Sequence, residues 1–247
     1  MINILVCGIR GKMGKTVTEL LQGDNTARAV CGVDINGGDG DIPVYKTFDC
    51  VKEKVDVVVD FSSPAALNAE LNWAVKKGVP VVLAATGYTE SDLKFIDGCA
   101  EKIAVFKTAN FSIGVNLLVK LVREAAKTLG EKFDIESIEK HHNQKVDAPS
   151  GTALMLADSA NAAFDGGKEY LNGRSGKVGK RGNEIGIHAV RGGTIVGEHD
   201  VIFAGCDEVV TLSHSASSKR VFAEGAIKAA KWLAGKPAGK YDMTDII

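Results

Sequence analysis

Residues 141–154, HHNQKVDAPSGTAL, set polar and ionisable side chains directly before an apolar run. Pro149 prevents a helix from extending backwards, and Ser150 can cap a helix that begins after it. The backbone N–H groups of Gly151 and Thr152, with the Thr152 hydroxyl, then form a compact site for a carboxylate or a phosphate. The spacing therefore predicts the binding of a small anionic substrate.

The same segment holds three groups that could transfer protons. A histidine near its unperturbed pKa of about 6.5 can donate a proton at neutral pH. Neighbouring residues of a strand point to opposite faces, so we expect His141 and His142 to differ in role, one as proton donor and one as substrate contact. Lys145 adds a mobile positive charge and a further proton. For either histidine alone, a hydrogen-bonded side chain in a polar loop is the simpler interpretation.

Six side chains are candidate metal ligands. They are His141, His142, Asp147, His188, His199 and His214. None of the histidines has the i, i+4 spacing of helical zinc sites, and the last three fall in separate strand-like segments. We therefore expect no catalytic metal. A serine hydrolase is not indicated either, because no G-x-S-x-G elbow follows a strand.

A second group of residues is typical of dinucleotide binding. Gly8, Gly11 and Gly14 follow a strand-like run at G-x-x-G-x-x-G spacing and open a helix-like one. Such a turn lets the backbone approach a pyrophosphate, whose charge the helix N-terminus stabilises. Asp34 ends the next strand, where an acidic side chain accepts hydrogen bonds from a ribose. The alternative is a tight turn beside a solvated strand end.

The charges near this turn leave the choice of cofactor open. Asp34 favours the free 2'-hydroxyl of NADH, whereas Arg10 and Lys12 can pair with the extra phosphate of NADPH. Ligands of doubly wound sheets lie beyond the carboxyl ends of the strands, so residues 60–64, 84–87 and 108–112 should also face the dinucleotide. Within the last range, the Phe111 side chain either packs on the nicotinamide or belongs to the core.

The elements that must position these residues divide the chain in two. Strand-like and helix-like segments alternate up to residue 112, and strands such as VDVVVDF are apolar throughout, as in a parallel sheet covered by helices on both faces. We predict an α/β fold with a Rossmann-like doubly wound domain at 1–112 and a mixed α/β domain at 113–217. The final helix, within 218–247, could belong to either domain. The Gly- and Lys-rich stretch 165–183 is expected to be a mobile loop.

Composition excludes several other classes of protein. The 30 basic and 31 acidic residues leave a net charge of -1, which gives no whole-chain reason to bind nucleic acid or an anionic membrane. No apolar run reaches the roughly 18 residues of a membrane span. The 5 cysteines include no C-x-x-C pair, so disulfides and zinc knuckles are not expected. We expect a cytoplasmic protein.

Seven motifs together resemble the 4-hydroxy-tetrahydrodipicolinate reductase family, the dihydrodipicolinate reductases of the lysine and diaminopimelate pathway. They span nearly the whole chain, and the H-H-x-x-K-x-D-A-P-S-G-T-A run is the most specific. The motifs are GIRGKMG, DFSSP, AATGYTE, TANFSIGVN, EKHHNQKVDAPSGTA, EIGIHAVRGGTIVGEH and SHSASSKRVFAEGAIKAAKWL. One departure is Lys219, followed by Arg220, where many relatives carry Arg after the A-S-S sequence.

The resemblance implies a reaction and an assembly. A hydride passes from NADH or NADPH to C4 of a cyclic imine with loss of water, and the protein delivers a proton to a small dicarboxylate substrate. The second domain would bind substrate and pair its open sheet with other copies in a homotetramer, while the C-terminal helix packs back on the first domain.

The resemblance also assigns roles to individual residues. His141 is the proton donor or acceptor, Lys145 is the second proton-transfer group, and His142, Gly151 and Thr152 hold substrate carboxylates. The positions that match cofactor contacts are Gly8, Ile9, Arg10, Gly11, Lys12, Met13, Asp34, Ala84, Ala85, Thr86, Thr108, Ala109, Asn110 and Phe111.

Two other functions are compatible with the fold. A dinucleotide-sensing regulator would keep the fold without turnover, but it would need neither His141 nor Lys145, so the intact pair favours catalysis. Another two-domain dehydrogenase that acts on a different small acid is the remaining alternative.

Overall fold

A computed structural model describes residues 1–38 and 40–247 of the chain. The chain forms two compact units. Unit 1 comprises Met1–Ser112 and Arg220–Ile247, and unit 2 comprises Ile113–Lys219.

Unit 1 is built on a seven-stranded sheet in which every strand pairs in parallel. Its strands are β1 (Ile2–Cys7), β2 (Ala27–Val33), β3 (Val44–Tyr45), β4 (Val57–Asp60), β5 (Val81–Leu83), β6 (Ala104–Lys107) and β12 (Gly239–Tyr241), and their order is β12-β6-β5-β4-β1-β2-β3. The helices are α1 (Lys12–Gln22), α2 (Leu67–Lys77), α3 (Glu90–Ala100) and α6 (Arg220–Leu233).

The uninterrupted apolar strands are buried on both faces of this sheet. Val57 and Val59 pack into one apolar layer with residues of α1 and α6, and Val58 packs into the opposite layer with residues of α2 and α3. Side chains on a strand alternate between faces, so a strand without polar alternation has to be covered twice. The doubly wound architecture predicted from the sequence is confirmed.

Unit 2 is a mixed five-stranded sheet with helices on one face. The elements are α4 (Ile113–Leu129), β7 (Asp134–His141), α5 (Gly151–Asn161), β8 (Glu169–Asn172), β9 (Glu184–Arg191), β10 (Gly197–Ala204) and β11 (Val209–Ala216). The strand order is β11-β10-β7-β9-β8, with β10 antiparallel to both neighbours and β7 and β8 parallel to β9. Residues of α4 and α5 form one core with Ile135, Ile185 and Phe203 of the sheet.

The stretch 165–183 differs from the expectation of a loop, because it contains strand β8. The side chain of Asn161 fixes this stretch: its amide donates to the Lys168 carbonyl oxygen (2.9 Å) and its oxygen accepts from the Lys168 N–H (3.0 Å). The chain is thereby held beside β9, to which β8 pairs.

None of the helices within residues 1–38 and 40–247 is both long enough and apolar enough to span a membrane.

Candidate active site

The glycine turn of unit 1 is held tightly between β1, α1 and the segment after β4. Gly8 has φ +74°, and a Cβ atom at this position would lie 2.9 Å from the Ser62 Cα. A Cβ atom on Gly14 would lie 2.2 Å from the Gly8 carbonyl oxygen. Gly11 is the N-cap residue of α1, and no described side chain caps this helix. The turn therefore presents a helix N-terminus with room for a phosphate-bearing ligand.

A cavity of about 850 Å³ lies beside this turn. Asp34 follows β2 on its wall, where its carboxylate accepts the N–H groups of Arg10 and Asn36, both at 3.0 Å. The cavity brings four of the predicted cofactor contacts together: Gly8, Arg10, Gly11 and Asp34. It also contains Lys46, which sequence reasoning missed because it follows a strand of only 2 residues, too short for a periodic pattern.

The other predicted cofactor contacts lie outside the lining of this cavity. Ile9 is buried in the core against Gly32, and Lys12 and Met13 begin α1. Phe111 is buried among Phe61 and Phe106, so its side chain belongs to the core. The remaining positions follow the carboxyl ends of β5 and β6: Ala84, Ala85, Thr86, Thr108, Ala109 and Asn110.

A buried carboxyl pair supports the turn after β4. Asp60 is fully buried and accepts the Ser62 N–H at 2.7 Å, which fixes the backbone that contacts Gly8. Glu70 of α2 is also fully buried beside it. Burial raises the pKa of Glu70 well above its ordinary value, and the Asp60 charge raises it further. The fold therefore favours the protonated form of Glu70.

In unit 2, the alternation of strand β7 places Glu139 and His141 on the same buried face. The His141 Nδ1 atom lies 2.5 Å from Oε2 of Glu139. Arg191 of β9, which pairs with His141 in the sheet register, donates to both oxygens of Glu139 at 2.8 and 2.7 Å. The Ser150 N–H donates to the same carboxylate at 3.0 Å. One buried carboxylate thus joins β7, β9 and the start of α5.

These contacts set the charges of the site. Burial by itself would raise the pKa of Glu139, but hydrogen bonds from Arg191, His141 and the Ser150 N–H outweigh it and hold this pKa below its ordinary value. Burial lowers the pKa of His141, against the opposing attraction of Glu139. At neutral pH the pair therefore consists of an ionised carboxylate and a neutral imidazole.

A third ionisable side chain packs against this pair. His199 of β10 lies opposite Glu139 in the sheet register, and its ring centroid is 5.2 Å from that of His141. Its Nε2 atom is 3.3 Å from the Ser150 hydroxyl oxygen. Burial, with a smaller contribution from the neighbouring His141, lowers the pKa of His199 to about 4.

The remaining predicted residues follow at the end of β7. Ser150 is the N-cap residue of α5, as expected, and its hydroxyl accepts the Ala153 N–H at 3.1 Å. Gly151 is exposed and Thr152 is half-buried in the first turn of the helix. Lys145 pairs with Asp147 at 2.8 Å, and its charge opposes protonation of His141. The buried Nδ1 of His142 has no hydrogen-bond partner in the described part of the chain.

The six candidate metal ligands do not gather at one point. His188 lies on the opposite face of the sheet from His141, where its Nε2 is 2.7 Å from Oε2 of Glu136. Sequence reasoning missed Glu139 and Arg191, and it considered His199 only as a candidate metal ligand. Strand alternation alone places Glu139 with His141, whereas the other two are brought in by the register of β9 and β10.

Comparisons with known proteins agree over the full chain. The family described as "Dihydrodipicolinate reductase, N-terminus" matches residues 2–111, and the family described as "Dihydrodipicolinate reductase, C-terminus" matches residues 114–247. The 4-hydroxy-tetrahydrodipicolinate reductase of Caldanaerobacter subterraneus subsp. tengcongensis is 52% identical over 248 residues, which cover 100% of this chain and 98% of the relative. The Clostridium tetani protein of the same name is 46% identical, over 98% of this chain and 96% of its own length.

A solved structure resembles this one along its whole length. It is a dipicolinate-bound dihydrodipicolinate reductase from Paenisporosarcina sp. TG-14, with a TM-score of 0.82, 25% identity and 100% of both chains covered.

Proposed function

Because the chain belongs to the dihydrodipicolinate reductase family, we propose that it reduces 4-hydroxy-tetrahydrodipicolinate to tetrahydrodipicolinate, a step of lysine and diaminopimelate biosynthesis. It is an NAD(P)H-dependent oxidoreductase. One observation carries this proposal. In unit 2 the Glu139 carboxylate contacts both the imidazole of His141 and the N–H of Ser150, the N-cap residue of helix α5. Glu139 therefore positions both the proton donor and the anion site.

The substrate carries two carboxylates, and unit 2 offers groups for both. In this proposal the N-terminus of α5, through Gly151 and Thr152, stabilises one carboxylate by its N–H groups and helix dipole. His142 and Lys145 supply the cationic and hydrogen-bonding contacts for the other. The exposure of Gly151 and the unpartnered Nδ1 of His142 within the described residues support this assignment.

The proton in this proposal is donated by the imidazolium form of His141, which the neutral imidazole reaches by taking up a proton at Nε2. Its Nδ1 is committed to Glu139, so Nε2 is the nitrogen that exchanges a proton with the substrate. Lys145, whose charge reaches His141, serves as the second proton-transfer group and returns the imidazole to its starting state.

Unit 1 would hold the dinucleotide. The glycine turn fits such a ligand, because it brings the N-terminus of α1, which no described side chain caps, to the wall of the cavity, and a side chain on Gly8 or Gly14 would displace this turn. We assign Gly8, Arg10 and Gly11 to the phosphates and Asp34 to the adenosine ribose. The nicotinamide, when bound, supplies the hydride. Since the wall carries both the Asp34 carboxylate and the cations Arg10 and Lys46, we propose that NADH and NADPH are both accepted.

The proposal is tested with the double variant His141→Gln/Lys145→Met. Turnover of freshly generated 4-hydroxy-tetrahydrodipicolinate is followed at about 340 nm with each cofactor separately. We expect a loss of at least about 10²–10⁴-fold in kcat, the usual contribution of general acid–base groups, with unchanged dinucleotide affinity. The exposed Lys132→Met serves as control. A double variant that retains turnover would refute the assignment.

The same assay separates the two alternatives. A dinucleotide-sensing protein would bind cofactor and show no turnover with this substrate in its wild-type form. A dehydrogenase for another small acid would oxidise NADH only when a different substrate from a panel is supplied.

We further propose a cytoplasmic homotetramer formed through the sheet of unit 2. The face opposite α4 and α5 carries the half-buried side chains of Ile138, Lys140 and Ile202, a mixed surface suited to pairing with a second copy. The free thiols of all five cysteines fit a reducing compartment. Light scattering should give about four times the 26.1 kDa of one chain; a monomeric mass would contradict this.

A further inference from the structure

We propose that Glu139 is a positioning residue for the reaction, because its carboxylate fixes the tautomer of His141 and ties the imidazole to the start of helix α5. This inference rests on the proposed function of His141 as proton donor. Glu139 would touch neither the substrate nor the cofactor, and it would act entirely through the groups that it holds.

Both oxygens of the Glu139 carboxylate contact residues of the proposed site. Oε2 contacts His141 Nδ1 (2.5 Å) and Arg191 Nη1 (2.8 Å), and Oε1 accepts the Ser150 N–H (3.0 Å) and Arg191 Nη2 (2.7 Å). Arg191 also donates to the Asp147 carbonyl oxygen at 2.6 Å. The loop from residue 147 to residue 150 is thus held at both ends, at Ser150 by Glu139 and at Asp147 by Arg191, which Glu139 binds in turn.

The carboxylate also decides which nitrogen of His141 carries the exchangeable proton. An ionised carboxylate only accepts hydrogen bonds, so Nδ1 must be the donor and keeps its hydrogen in the neutral imidazole. The proton gained and lost in each cycle is then on Nε2. This atom lies next to Gly197, where a Cβ atom would approach it to 3.1 Å, so the glycine leaves room at the working nitrogen.

The surroundings keep Glu139 ionised while His141 titrates. The groups that face the imidazole are Glu139 on its own strand, Arg191 on β9, His199 on β10 and Lys145 in the following loop. His214 of β11 opposes protonation of His199 and so lowers its pKa. The cations oppose protonation of His141, and Glu139 is the one group of this set that favours it.

The test replaces the carboxylate by its neutral isostere. Glu139→Gln retains the shape, but an amide NH2 directed at Nδ1 reverses the tautomer, and the loss of charge removes the stabilisation of the imidazolium. We expect kcat to fall by about 10²-fold or more while KM and dinucleotide affinity change little. The decline of kcat with rising pH should begin at a lower pH than in the wild type. Glu139→Asp, which restores the charge, should recover part of kcat and return the pH profile towards the wild type.

The chain provides a matched control on the other face of the same strand. Glu136 also contacts a histidine, His188 at 2.7 Å, and an arginine, Arg181 at 3.1 Å. We expect Glu136→Gln to leave kcat and its pH profile unchanged, with the mass of the assembly measured for each variant. Glu136 is half-buried and Glu139 fully buried, so the readout that separates the roles is the pH profile of kcat, which a purely structural role would leave unchanged in both variants.

Nitrogen NMR of ¹⁵N-histidine-labelled protein tests the inference without any substrate. The neutral His141 of the wild type should carry its hydrogen on Nδ1, and Glu139→Gln should move it to Nε2. A wild-type protein with the hydrogen on Nε2, or a Glu139→Gln variant with unaltered kcat and pH profile, would overturn the proposal. If the tautomer is as expected but the wild type does not reduce 4-hydroxy-tetrahydrodipicolinate, the proposed function fails and the positioning of His141 stands.

Discussion

Two buried carboxyl groups at the residue scale show how surroundings set charge. Glu139 is fully buried beside Arg191 and the Ser150 N–H, and its pKa is held down. Glu70 is equally buried, but its charged neighbour is Asp60, and its pKa is raised well above the ordinary value. Burial penalises both charges, and only a cation with well-aligned donors outweighs that penalty.

This contrast predicts opposite results for two substitutions. Glu70→Gln replaces a protonated acid by a neutral isostere, so we expect the free energy of unfolding to change by less than about 1 kcal/mol at pH 6. A raised folded-state pKa means that the stabilising contribution of Glu70 is lost as pH rises, so the variant should gain on the wild type at pH 9. Arg191→Met should cost about 3–5 kcal/mol, because it leaves the Glu139 charge buried without its partner. Urea denaturation of both variants at the two pH values measures this, and equal costs would contradict the argument.

His199 predicts an acid-dependent loss of stability. Its pKa falls from 6.5 to about 4 on folding, so between these values the unfolded chain binds more protons than the folded one. The contribution is complete above pH 6.5 and declines as pH falls to 4, by about 3 kcal/mol in total. His199→Gln should therefore show a shallower fall of the free energy of unfolding across this range. Parallel slopes for the variant and the wild type would show that His199 does not titrate in this way.

The site residues of unit 2 differ in how far the sequence predicts them. The pattern Glu-Lys-His in a strand is sufficient to place Glu139 on the same side as His141, because the side-chain period of a strand is 2. Arg191 and His199 come from strands about 50 residues further along, and no local pattern specifies the register that brings them opposite His141 and Glu139. The roles assigned to the individual site residues remain predictions.

At the scale of elements, the junction of β1 and α1 depends on glycine for close packing. A Cβ atom on Gly14 would lie 2.2 Å from the Gly8 carbonyl oxygen, whereas one on Gly98 in α3 would meet nothing within 4 Å. We expect Gly14→Ala to lower the free energy of unfolding by about 1–3 kcal/mol and to weaken dinucleotide binding. Gly98→Ala should raise it by about 0.5–1 kcal/mol, because alanine favours an exposed helix. Thermal unfolding and a dinucleotide titration compare the two, and a destabilised Gly98→Ala would contradict the explanation.

Long elements were predictable and short ones were not. The buried strands and amphipathic helices of unit 1 have patterns set by burial, and these confirm the fold class. Strand β8 was missed because its 4 residues are mostly exposed, and it is held in place by the Asn161 side chain, which local propensity does not encode. Strand β3 has only 2 residues, too few for a periodic pattern.

At the scale of the whole molecule, unit 1 is completed by a segment that is remote in sequence. Helix α6 buries Ala226, Ala230 and Leu233 in the layer that also contains Val57, and β12 pairs with β6 at the edge of the sheet. The chain therefore needs residues 220–247 to cover one face of its first sheet.

Removal of this segment should selectively disrupt unit 1. We expect a chain that ends at Lys219 to bind a hydrophobic dye and to lose dinucleotide binding, because the apolar layer behind β1 and β4 would be open to water. Lys228→Ala, an exposed change on α6, should have neither effect. A truncated chain that still binds dinucleotide would show that the layer closes without α6.

The interrupted course of unit 1 also bears on how the protein is made in the cell. The polypeptide leaves this unit at Ser112 and returns to it at Arg220, and translation of the intervening stretch takes roughly 5–20 s. Throughout that interval α1 alone covers one side of the first sheet, and the nascent chain cannot complete that layer until the last helix leaves the ribosome. The core of unit 1 is thus completed only when the end of the chain has been synthesised.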